Sequence, residues 1–151
     1  MRVAVFQGGG ARRCLCMTAS LPFEEIKKEY HRAEKSLQSA RLLLRDSLLE
    51  DALSRAYYAI LHAARAVLLA EGVNVTSHRA VRRLFGQHLI KPGKLAAHLA
   101  TILAEEQDDR MLADYDVLFD PERERVQKRV DDAEVFLVAI RVFLTDRSIL
   151  V

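Results

Sequence analysis

The chain has 151 residues, 50% hydrophobic and 29% charged, with 23 lysines and arginines against 21 acids and a formal net charge of +2. That composition suits a single domain with a proper core and excludes a disordered chain. With 6 glycines, 3 prolines and 7% aromatics it argues against a turn-rich sandwich or barrel, and no stretch free of Asp, Glu, Lys and Arg reaches the roughly 18 residues a membrane-spanning helix needs.

Residues 1–19 stand apart, with Val3-Ala4-Val5-Phe6, Gly8-Gly9-Gly10, Arg12-Arg13 and no acid. Cys14 and Cys16 are too few for a zinc site and too close to staple distant elements, so no metal and no cofactor is expected, in a reducing, cytoplasmic setting. The apolar run is too short for a signal peptide. Phe6-Gln7-Gly8-Gly9-Gly10-Ala11-Arg12 resembles the glycine-rich oxyanion loop of patatin-like lipases. No Gly-x-Ser-x-Gly elbow follows to supply a nucleophile. The expectation is an N-terminal extension over residues 1–19 and a helical domain over 20–151.

Ser20 offers a cap for the first helix, Pro22 sits in its first turn, and Glu24 and Glu25 complement the positive end of the helix dipole. Ile26, Tyr30, Ala33, Leu37, Ala40 and Leu44 then recur at helical spacing and draw one apolar stripe. A second helix is expected from Leu49 to Glu71, stopped by Gly72; its many alanines, flanked by Tyr57, Tyr58, Ile60, Leu61, Val67 and Leu68, mark it as the most buried. The pattern predicts a short third helix from Ser77 to Leu89, a break at Lys91-Pro92-Gly93, a fourth helix from Lys94 to Tyr115 and a fifth opening at Asp120-Pro121. Val126, Val130, Ala133, Leu137, Ile140 and Leu144 give the fifth a stripe like the first. The fold class is therefore all-α, an antiparallel bundle of about five helices.

Charge is polarised along the bundle. Between Glu71 and Glu105 lie Arg79, Arg82, Arg83, Lys91 and Lys94 and no acid, whereas the stretch from Glu105 to Glu124 is strongly acidic around Arg110 and Arg123. A basic stretch can bind a phosphate backbone; equally, the two segments can pair within the bundle or across a dimer. Phe85 is the one aromatic of the basic stretch placed to stack on a base.

The run Ser54-Arg55-Ala56-Tyr57-Tyr58-Ala59-Ile60-Leu61-His62-Ala63-Ala64-Arg65-Ala66 resembles the HEPN domain in its compact prokaryotic branch. Gly72-Val73, Thr76-Ser77-His78, Lys91-Pro92-Gly93-Lys94 and Arg110-Met111-Leu112-Ala113-Asp114-Tyr115 follow in that branch's order. The resemblance implies a four-helix bundle with a short extra helix, a homodimer, and a polar cleft lined from the second and fourth helices. It also implies a partner, the minimal nucleotidyltransferase antitoxin of a toxin-antitoxin-like pair, and RNA or a nucleotide as ligand. Ribonucleases of the family place a histidine four to six residues after the arginine, where it exchanges a proton with the ribose 2′-hydroxyl. Here those positions are Tyr115, Asp116 and Val117, and no histidine stands among them.

The candidate catalytic residues are Arg110 and His62, and the candidate nucleotide- or RNA-binding residues are Arg55, Tyr58, Arg65, His78, Asp114 and Tyr115. Arg110 is either a phosphate ligand or an ion-pair partner of Asp108, Asp109 or Asp114. His62 is a base or a satisfied core histidine, and His78 a site residue or a residue that orients the turn after Thr76 and Ser77. Arg55 and His62, seven residues apart, share one helix face about 10.5 Å apart along the axis. Tyr57 and Tyr58 point to different faces, so one is expected to line the cleft and the other to join the core. Under the resemblance Tyr115 is a candidate acceptor for nucleotidyl transfer by the partner. An endoribonuclease with His62 or His78 as the proton acceptor, and a non-catalytic interaction module, are the competing functions.

Overall fold

A computed structural model describes residues 22–151; the expected cap Ser20 and the extension over 1–19 lie outside the described residues. Five helices follow: α1 (Phe23–Arg45), α2 (Leu49–Ala70), α3 (His78–Phe85), α4 (His98–Tyr115) and α5 (Arg123–Asp146). No strand occurs among the described residues.

The stripe expected on the first helix is the buried face of α1, residue for residue. The α5 stripe is buried too, with Phe136 added to it. Between these amphipathic helices lies α2, which packs against all four others. Its alanines 52, 56, 59, 63, 64, 66 and 70 are all buried, so neighbouring backbones approach closely. α1 and α5 run antiparallel, with the Tyr30 hydroxyl donating to the Leu137 carbonyl at 3.0 Å and Arg123 donating to the Leu44 carbonyl at 2.7 and 2.9 Å. Arg123 thereby adds side-chain donors to a carbonyl at the end of α1 that Ser47 N–H also reaches, at 3.1 Å.

The turns follow their residues. Gly72 adopts φ +78°, and Val73 N–H closes on the Leu68 carbonyl at 2.8 Å, which ends α2 in a left-handed cap. Ser77 caps α3 through its side-chain oxygen, which accepts from Ala80 N–H. Three boundaries differ from expectation. α3 ends at Phe85 and runs on as a π-helical turn over Gly86–Ile90. α4 starts at His98 rather than Lys94, because Gly93 at φ +79° sustains a turn and Leu95 N–H bonds the Leu89 carbonyl. α5 starts at Arg123, with Glu122 at its N-cap, so Pro121 is packed away before the helix.

Candidate functional site

Ser54, Tyr58, His62 and Arg65 recur at four-four-three spacing and so share one face of α2. α4 crosses this face and lays Arg110 on it. The Arg110 Nη1 donates to Ser54 Oγ at 3.0 Å, and its Nε donates to the Asp114 carboxylate at 2.9 and 3.0 Å. Its guanidinium carbon lies 4.9 Å from the Tyr58 ring centroid and 5.8 Å from that of Tyr57, within cation–π range of both. No acceptor engages Nη2 among the described residues. Burial works against this charge, but the Asp114 and Tyr58 side chains outweigh it and hold Arg110 firmly protonated.

His78, the first residue of α3, enters from a third side. Its Nδ1 lies 3.4 Å from the Tyr57 hydroxyl, and its ring meets Tyr58 edge-on with centroids 6.4 Å apart. Burial, then the nearby charges of Arg65, Arg110 and His62, push the His78 pKa below that of a free histidine. Burial also raises the Tyr57 phenol, so it stays a neutral donor at physiological pH. Tyr57 joins the core, as expected of one of the two tyrosines. Tyr57 is buried, yet its hydroxyl reaches His78 and its ring faces Arg110, because the ring is long enough to extend from the core face to the cleft.

A fourth contribution comes from α1. Glu29 Oε2 lies 2.7 Å from His62 Nδ1, and both side chains are 18% exposed. That hydrogen bond, opposed by burial and aided by the charges of His62, Arg65 and Arg32, holds the Glu29 carboxyl below its ordinary range. Tyr58 stacks on His62 with centroids 6.4 Å apart and planes 30° from parallel. Arg65 donates to the Thr76 carbonyl at 2.9 Å, while its Nε is buried with no acceptor among the described residues. Glu29, Arg32, Arg65 and Thr76 also border a cleft of about 400 Å³ between α1 and the turn after α2.

Six of the eight expected site residues thus come together: Tyr58, His62, Arg65, His78, Arg110 and Asp114. Arg55 does not join them; it is exposed, without a hydrogen bond or ion pair among the described residues, because it sits one position round the helix from Ser54. Tyr115 ends α4 at 83% exposure, outside the cluster. Glu29, Ser54 and Tyr57 are the residues that sequence reasoning missed. Ser54 was legible in principle, one turn before Tyr58, whereas Glu29 is 33 positions from His62 and nothing local pairs them.

The acids beside Arg110 have other partners. Asp108 meets Arg82 at 3.5 Å, whereas Asp109 is bound by Arg125 and Arg129 of α5. Phe85 packs on Phe136 with centroids 5.4 Å apart and is fully buried, so it offers no stacking platform. Among the described residues no cluster of His, Cys, Asp and Glu could hold a metal ion, and no helix is long and apolar enough to cross a membrane.

The HEPN domain model matches residues 26–142. A protein of Methanocaldococcus jannaschii named "Putative toxin MJ0605" is 32% identical over 82% of this chain and 91% of its own length. A second from that organism, "Putative toxin MJ0142", is 29% identical over 83% and 86%. A "UPF0332 protein" of Thermotoga maritima is 34% identical over 76% and 87%.

Proposed function

The chain belongs to the HEPN domain family, by a match that runs through all five helices, and we propose that it binds a phosphate of RNA or of a nucleotide at the Arg110 cleft. The observation that carries this reading is the guanidinium itself: laid over Tyr58, charged, and with Nη2 left for a ligand. Asp114 occupies Nε from the same helix and is half exposed, so it can swing away when a phosphate arrives. Arg65 and His78 add donors beside it. In this reading the protein is the toxin-like member of a pair with a minimal nucleotidyltransferase, in line with the names of its relatives in Methanocaldococcus jannaschii.

Incubation of the pure protein at low salt with a labelled oligoribonucleotide and with labelled ATP tests the reading. Binding of either, weakened at least about tenfold in Arg110→Ala, is the expected result. Absence of binding to both sinks it. The exposed Tyr115 hydroxyl suits it as the acceptor when the partner transfers a nucleotidyl group; mass spectrometry after reaction with that partner and ATP would find the added mass on the wild type and not on Tyr115→Phe.

We further propose that the functional unit is a homodimer. Met111, Leu112, Tyr115, Val117 and Leu118 form an exposed apolar run at the end of α4, beside the Arg110 cleft. A second copy of the chain covers it in this reading.

A further inference from the structure

The cleft of about 400 Å³ between α1 and the turn after α2 has no task in the reading above. Glu25, Lys28, Glu29 and Arg32 line it from α1, at spacings that keep all four on one face of that helix. Arg65 closes the α2 side: its Nη2 donates to the Thr76 carbonyl at 2.9 Å and so holds the turn in place as the far wall. Leu69 and Val75 give that wall an apolar surface, and Asn74 adds an amide.

The charges of the cleft do not cancel. Glu29 is committed to His62 at 2.7 Å and has Arg32 at 3.6 Å. Lys28 and Glu25 make no ion pair and no side-chain hydrogen bond among the described residues. Arg65 Nη1 likewise meets no acceptor among them and stays accessible, whereas Nε beside it is buried. The three cations Lys28, Arg32 and Arg65 against the two acids leave one positive charge to be met, and the two oxygens of a carboxylate match two separate donors. A phosphate monoester carries about 1.5–2 negative charges at neutral pH and would bring the excess against Glu25 and Glu29.

We propose that this cleft is a second binding site, separate from the Arg110 cleft, for a small organic monocarboxylate whose carboxylate takes donors from Arg65 Nη1 and Lys28 and whose apolar body rests on Leu69 and Val75. Arg32 adds its charge beside them. The volume is that of a small-molecule pocket, and the lining has the usual makeup of one, an apolar wall with a few placed polar groups. The site stands whether or not a phosphate binds at Arg110.

The test uses the full chain, nitrogen-15 labelled, at low salt and neutral pH. It is titrated with phenylacetate, with the neutral amide phenylacetamide and with phenyl phosphate, and thermal unfolding of each variant is measured alongside. Phenylacetate is expected to bind with a Kd on the order of 1 mM and to shift the backbone amides of Leu69, Asn74, Val75 and Thr76. Phenylacetamide, the same body without the charge, should bind at least about tenfold more weakly, and phenyl phosphate no more tightly than phenylacetate. Lys28→Gln with Arg32→Gln, two exposed positions whose change spares the core, should weaken phenylacetate at least about tenfold, and Arg110→Ala should leave it unchanged.

No shift at roughly 20 mM phenylacetate overturns the proposal. So does phenylacetamide that binds equally well, or a folded Lys28→Gln, Arg32→Gln protein that binds like the wild type. Phenyl phosphate bound at least about tenfold more tightly overturns the assignment to a carboxylate. Loss of phenylacetate binding in Arg110→Ala makes the two clefts one and overturns the second site. Failure of RNA and ATP to bind sinks the Arg110 reading alone and leaves this one standing.

Discussion

Two carboxyl groups three residues apart on α4 respond to pH in opposite directions. Both oxygens of Glu106 are buried without a partner among the described residues, and its pKa is pushed up to about 9, chiefly by burial, with Asp132 and Asp109 adding to the rise and Arg129 and Lys128 opposing it. The folded pKa lies above the unfolded one, so the fold prefers the neutral acid. Its contribution is full below the unfolded value of 4.5 and is lost as pH climbs toward 9. Glu106→Met, similar in length and without the polar atoms, should raise stability at pH 8 by about 1–4 kcal/mol and flatten the fall between pH 6 and 9 in urea titrations. Asp109 works the other way. Burial raises its pKa, but Arg125 and Arg129 outweigh this and depress it, so its contribution is present above the unfolded value and lost as acid protonates the folded carboxyl. Asp109→Ala leaves Arg129 half-stripped of partners in a nearly dry site, and should cost about 3–5 kcal/mol at pH 7, an excess that shrinks in acid. Glu106 was illegible in the sequence as a buried group, because one charged residue among Glu105, Asp108 and Asp109 carries no mark of which way its helix face turns.

At the scale of the element, periodicity was legible and boundaries were less so. A stripe such as Ile26 to Leu44 states its own burial, because a helix with one apolar face has one way to hide it. The start of α4 was not legible: the turn over 91–97 is set by the Gly93 backbone and by Leu95 bonding back to Leu89, a tertiary choice. The π-helical turn after Phe85 likewise carries no local signature. Two glycines separate these effects experimentally. A Cβ at Gly86 meets nothing within 4 Å and its backbone is ordinary helix, so Gly86→Ala should raise stability by about 0.4–1 kcal/mol. Gly72 at φ +78° should make Gly72→Ala cost about 1 kcal/mol by thermal denaturation despite equal room. The small residues of α2 set a different limit: Ala63 is fully buried where helices approach closely, and Ala63→Leu should cost about 1–3 kcal/mol through overpacking.

For the molecule as a whole, the paired acids between Glu105 and Glu124 turn mostly away from the basic stretch before them: Glu105 and Asp109 meet α5, Asp114 meets Arg110, and Asp108 alone among the described residues meets the basic stretch, at Arg82. The basic residues Arg79, Arg83 and Lys91 therefore remain exposed for a polyanion. Val117, 99% exposed, and Leu118, 90% exposed, are the most exposed members of the apolar run proposed to meet a second copy. Val117→Asp with Leu118→Asp should convert the proposed dimer to a monomer in sedimentation velocity while leaving helical content unchanged; a dimer that persists assigns the interface elsewhere. Arg123, the first residue of the last helix, holds the Leu44 carbonyl at the end of the first. Every residue of the Arg110 cluster, from Glu29 to Asp114, leaves the ribosome before α5, yet the core faces of α1 and α2 wait for that helix to cover them. The nascent chain therefore carries all the chemical groups of the cleft while lacking the element that braces them. Completion of α5, which packs on α1 and α2, closes the core behind the cleft.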